Sequence, residues 1–163
     1  MADKKFDVDG ADIVTPIILD LLNQYPGLMD DEKIIFSTLS DKDGLAMFPT
    51  SAAAVLQEII DVTDHVTQRC SYPFTIVYRA GNLNKSRRAN IKEWLDDWGR
   101  WLEKQTIYID GQPQKLKQYP KISGRKIEKV SRNTSSYLQS IAEDKTEDWV
   151  IAITAQYTNE FDR

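Results

Sequence analysis

Residues 148–161 read DWVIAITAQYTNEF. Trp149, Ile151, Ile153, Ala155 and Tyr157 fall on one side of an extended chain, and a more polar set falls on the other. A period of two sustained this long predicts a strand with one face on a core and one toward water. It is the strongest strand signal in the chain. A second run, PFTIVYRA at residues 73–80, puts Phe74, Ile76 and Tyr78 on one face and Thr75, Val77 and Arg79 on the other. The residues before it, VTDHVTQRCS at 62–71, fit either another strand or a loop.

Shorter β-prone runs surround these two. KIIFSTL (33–39) and LAMFPT (45–50) flank SDKDG, whose Asp and Gly content favours a tight turn, so the pair predicts a hairpin. TIYIDGQPQKL (106–116) carries Asp110-Gly111, a turn signal between two strand pieces, and GRKIEKVSRN (124–133) predicts a solvent-facing strand. Residues 111–124 are expected to form a mobile loop.

Two segments have helical period instead. In TPIILDLLNQY (15–25), Ile17, Ile18, Leu21, Leu22 and Tyr25 recur on one face, with Thr15 as the expected N-cap and Pro16 at the first helical position. YPGL (25–28) should end this helix. The second helix contains NIKEWLDDWGRWLEKQ (90–105), starts from Asn82 or Asn84 and runs to about Lys104. Ile91, Trp94, Leu95, Trp98, Trp101 and Leu102 form its apolar stripe, which holds three of the four tryptophans of the chain. With Trp149 these residues are expected to be core packed on the sheet, with Gly99 permitting close approach and the stripe wide enough for one indole to reach a subunit interface. The order helix, strands, helix, strands predicts one α+β domain over residues 1–163, a largely antiparallel sheet with both helices packed on one face.

The chain has 163 residues, 41% hydrophobic and 28% charged, a balance that excludes disorder and fibrous repeats. No apolar run is long enough to cross a bilayer, and MADKKFDVDGAD lacks the apolar centre of a signal peptide, so a cytoplasmic site of synthesis without membrane contact is expected. One cysteine, Cys70, excludes an internal disulfide, and one histidine, His65, leaves no zinc site of ordinary composition.

Other chemistries are equally thin. His65 with Asp61 or Asp64 and Ser71 lacks a GxSxG elbow, and Cys70 lies five residues from His65 without a thiol-catalysis motif. DVDG (7–10) and DKDG (41–44) resemble pieces of a calcium loop but do not continue to its spaced carboxylates. No phosphate-cradling glycine motif occurs. Tyr119 sits in a basic segment as a candidate base stacker, yet the net charge of −4 argues against a sequence-specific nucleic-acid partner. No catalytic, cofactor-binding or metal-binding residue is therefore expected. The rival expectation is an enzyme or small-ligand binding module built around the tryptophan helix.

Charge is segregated along the chain. Residues 1–64 hold thirteen acidic and four basic side chains, whereas residues 114–132 hold seven basic and one acidic. Such segregation suggests complementary surfaces. Arg125, Lys126, Lys129 and Arg132 are candidates for one side of an interface between copies of the chain or with a partner, and Asp30, Asp31 and Glu32 for the other.

Several stretches also resemble a known family. YPFTIVYRA (72–80), NIKEWLDDWGRWLEKQ and EDWVIAITAQYTNEFDR (147–163), with LLNQYPGL (21–28) and DGLAMFPT (43–50), are similar to the minor capsid proteins of prophages in Gram-positive bacteria. The element order is similar to that of tail terminator proteins of long-tailed phages, which form hexameric rings that cap the tail tube. This resemblance implies a structural virion protein at the head–tail junction that is found in the host cytoplasm during assembly. Its implied partners are copies of itself, the tail tube protein and head–tail connector proteins. A head-completion or connector role is the second implication.

Overall fold

The computed structural model describes residues 11–30, 32–40, 43–81, 83–122 and 124–163. The two strongest strand signals become the paired centre of one sheet. Strand β4 (His65–Ala80) and strand β10 (Glu147–Asp162) run antiparallel over sixteen residues each, from Glu147 opposite Ala80 to Asp162 opposite His65. On β4 the alternation runs from Val66 to Ile76, with Val66, Gln68, Cys70, Tyr72, Phe74 and Ile76 buried and the residues between them not, and it breaks where Val77 on β4 and Val150 on β10 are buried as well. VTDHVTQRCS is thus no loop: from His65 onward it is strand, held by its partner on β10.

Shorter strands flank this pair. Strands β2 (Gly44–Pro49) and β3 (Ala54–Ile60) lie end to end along the outer side of β4, and β8 (Arg125–Arg132) and β9 (Tyr137–Ile141) do the same along β10. Strand β1 (Ile35–Phe36) sits outside β2 and strand β7 (Lys121–Ile122) outside β8, giving the order β1-β2-β4-β10-β8-β7. A separate two-stranded ribbon, β5 (Ile107–Ile109) and β6 (Gln112–Gln114), turns through Asp110 and Gly111. Both turn residues have positive φ, 51° and 78°, as a two-residue hairpin requires.

Helices α1 (Ala11–Leu22) and α2 (Lys85–Leu102) cover the same face of the sheet. Tyr72 and Tyr78 have equal parity on β4; the Tyr72 hydroxyl meets Thr15 of α1 at 2.9 Å, and the Tyr78 ring meets Trp94 of α2 edge-on at 5.5 Å. The core between helices and sheet joins Val14, Ile18, Leu21 and Leu22 to Leu95, Trp98, Phe74, Ile151 and Tyr157. The result is an α+β domain with a largely antiparallel sheet.

Three local expectations are corrected. Helix α1 does not start behind Thr15, because it already includes Ala11, and Val14 extends the buried stripe one turn upstream of Ile18. Pro16 is therefore an interior residue that leaves the Asp12 carbonyl without its helical donor. The hairpin read from residues 33–50 is instead a parallel pair, with Ile35 beside Ala46 and Phe36 beside Met47. The buried Ile34 sets this direction, since its N–H and C=O are both bound by the Asn23 amide at the end of α1. Ser37, at φ 53°, then turns the chain away. Strand β8 is solvent-facing on one side only: Arg125, Ile127 and Val130 are buried. The described part of 111–124 carries β6 and β7, the buried Leu116, and Tyr119, whose hydroxyl donates to the Leu102 carbonyl at 2.6 Å.

Candidate functional site

The N-cap of α2 is Asn84, whose Oδ1 accepts the Arg87 N–H at 2.9 Å; Asn82, the alternative, lies outside the described residues. From there the helix lays its tryptophans on the sheet. Leu95, Trp98, Trp101, Leu102 and Trp149 are buried, and Trp98 is 0% exposed. Tyr25 fills the space that a flat ligand would need, stacking on Trp98 at 4.9 Å with an 8° tilt. Its hydroxyl donates to the Trp94 carbonyl and the Trp94 indole donates to the Gly27 carbonyl, so the YPGL turn seals the aromatic cluster. Burial, and then the charge of Asp97, push the Tyr25 phenol far above its usual pKa. Ile91 and Trp94 are only partly buried, and with Met29, Tyr78 and Gly27 they line an open surface cleft.

A second face of α2 escaped the sequence reading. Asp96, Gly99 and Glu103 lie one turn apart, and this line packs on β8 and the segment after it. The Asp96 carboxylate accepts the Ser136 N–H at 2.7 Å and the Lys92 ammonium at 2.9 Å. Burial pulls the Asp96 pKa up, but the Ser136 amide, the Lys92 ammonium and the Ser136 hydroxyl outweigh it and hold the carboxyl below the ordinary value. A Cβ on Gly99 would strike the Arg132 side chain and come within 2.9 Å of Ile151 Cδ1. The signal available in the sequence was that glycine, flanked at helical spacing by two carboxylates. Two further ion pairs lie where β10 begins, Arg88 of α2 to Glu147 at 2.9 Å and Arg79 of β4 to Asp148 at 2.7 Å.

The residues weighed for catalysis are not brought together. His65 and Cys70 have opposite parity on β4 and point to opposite faces of the sheet. His65 Nδ1 pairs with Asp162 at 2.8 Å, which raises the imidazole pKa, whereas burial raises the Cys70 thiol and keeps it protonated. Ser71 lies six residues along the strand from His65, about 20 Å away. The Asp61 carboxylate is taken by Thr63 and the His65 N–H within the β3–β4 turn, while Asp64 occupies that turn at φ 62°. Among the described residues no group of three or more His, Cys, Asp or Glu is placed to hold a metal ion. DVDG (7–10) and Asp41 of DKDG lie outside the described residues, and Asp43 bonds Ser40 at 2.6 Å.

The basic stretch divides in two. Lys126 and Lys129 are exposed, and Lys126 has Glu128 at 3.8 Å as a loose partner. Arg125 shares parity with Ile127 and is 4% exposed, and Arg132 is bound to Glu103 at 2.9 Å. These two arginines are engaged within the chain. Of the acidic candidates, Asp30 is exposed and Glu32 accepts the Met29 N–H, whereas Asp31 lies outside the described residues. The two sets lie at opposite edges of the sheet, one just before β1 and the other on β8 beside β7. No protein-family model matches this chain, and no curated protein matches it either.

Proposed function

We propose that this chain is a structural virion protein of the head–tail junction, a tail terminator that closes into a ring, caps the tail tube and docks to the head connector. The observation that carries the reading is the charge at the two lateral edges of the sheet. A closed ring needs two different, complementary patches on opposite sides of each subunit. Here Lys121, Lys126 and Lys129 lie at one edge, and Asp30, Glu32, Glu58, Asp61 and Asp64 at or beside the other. The resemblance of the strand and helix sequences to prophage minor capsid proteins supports the same reading, as does the similarity of element order to tail terminators. The tryptophan helix favours it over a ligand-binding module, because Tyr25 occupies the face of Trp98.

Sedimentation velocity and negative-stain electron microscopy of the purified chain, alone and with the tail tube protein, test the proposal. Closed rings, hexameric in projection, are expected. A chain that stays monomeric at every concentration in both settings removes the reading.

A further inference from the structure

Strand β3 is an edge strand with an unusual surface. Among the described residues it pairs with β4 on one side only, and Leu56, Ile59 and Ile60 are 56%, 56% and 41% exposed. Cross-strand pairing puts Ile59 on the face of Thr67 and Ile60 on the face of Val66, so apolar side chains flank the edge on both sides. Val62 at the hairpin tip is fully exposed. Edge strands of monomeric proteins are commonly blunted by lysine or proline, and residues 54–64 contain neither. Their only charges are Glu58, Asp61 and Asp64, all exposed.

The opposite edge has matching chemistry at the same level of the sheet. Gln57 of β3 is in line with Arg69, Thr158, Lys126 and Lys121, one row across five strands. Beside Lys121 runs a groove with Tyr119, Pro120 and the largely buried Ile127 as its apolar walls and three lysines, Lys104, Lys121 and Lys126, against one carboxylate, Glu128, on its rim. Lys104 lies over the Tyr119 ring at 4.3 Å, which keeps one cation at the groove mouth. Asp30 and Glu32 match this level less well, since they precede β1, which is aligned through β2 with Ile76 and Val77 nearer the other end of β4.

We propose that the β3 edge of one copy, with Leu56, Ile59, Ile60 and its acidic turn, seats in the Tyr119–Pro120–Ile127 groove of the next copy. Apolar contact supplies the attraction, and the lysine rim facing Glu58, Asp61 and Asp64 sets the register. Because the edges differ, the contact is head-to-tail and repeats around a ring. This inference rests on the ring reading and names the surface that makes the ring.

The test compares wild type with Ile59→Lys by sedimentation velocity over a concentration series. Ile59 is outside the core, so the variant's melting temperature should be unchanged and its self-association weakened by at least about tenfold. A parallel experiment mixes Ile59→Cys chains with Lys121→Cys chains under mild oxidation; the native Cys70 is buried and does not interfere. Disulfide-linked pairs are expected in the mixture and not with Ile59→Cys alone. Cross-linking of Ile59→Cys to itself would make the contact two-fold and overturn the proposal. Wild-type oligomers that Ile59→Lys leaves intact overturn this surface alone, whereas a wild type that never associates overturns the ring as well.

Discussion

Trp98 shows how much one side chain carries. It is 0% exposed, stacked by Tyr25 and met edge-on by Trp94 at 5.3 Å. Trp98→Ala should cost about 3 to 5 kcal/mol in urea melts, as large aromatic truncations in cores do. Its indole N–H has no partner among the described residues. Trp98→Phe, which removes no hydrogen bond, should therefore cost clearly less than the alanine. Asp96 makes a different prediction. Its carboxyl titrates below the ordinary value in the fold, so its contribution is present above the unfolded pKa of about 4 and is lost as pH falls through the folded value. The stability gap between wild type and Asp96→Asn should be widest near neutral pH and shrink below about pH 4, read from melts across a pH series.

At the scale of elements, α2 is the best-specified unit because local and tertiary signals agree on it. Asn84 caps it, Arg100 lies in its last turn, and its stripe faces β4 and β10. Asn84→Ala should cost about 1 kcal/mol by thermal or urea unfolding, since the Arg87 N–H then loses its acceptor. A change under about 0.3 kcal/mol would mean that water replaces the cap. Helix α1 shows the opposite balance. The Thr15-Pro16 start signal is a sound local rule, but the helix runs on upstream of it, burying Val14 in the core although Pro16 costs it a hydrogen bond. Strand β8 has a bulge where Lys129 and Ile127 face Gln156 and Tyr157, which leaves both Glu128 and Lys129 on the exposed side.

For the molecule as a whole, the charged edges are the feature with consequences beyond the fold. Lys126 and Lys129 are exposed, and Lys126 has only the loose, exposed partner Glu128 at 3.8 Å, so reversing both to Glu should leave the melting temperature nearly unchanged. The same variant should weaken self-association, and added salt should weaken the wild type in the same direction. Equal assembly of variant and wild type across a salt titration would discard charge pairing and leave the apolar β3 edge to hold the contact.

The sequence alone determined the parts governed by near neighbours. Strand alternation from Trp149 to Tyr157, the aromatic stripe of α2 and the Asp110-Gly111 turn all follow from side-chain period and backbone dihedral preference over a few residues. The structure decided what depends on distant partners. Residues 65–71 are strand because 156–162 pair with them, and β1 is parallel to β2 because Asn23 holds Ile34. The split of the basic stretch has the same origin. Arg125 and Arg132 are drawn inward by β10 and Glu103, while Lys126 and Lys129 stay in water, and that difference arises only where a strand meets the sheet and a helix set far from it in the chain.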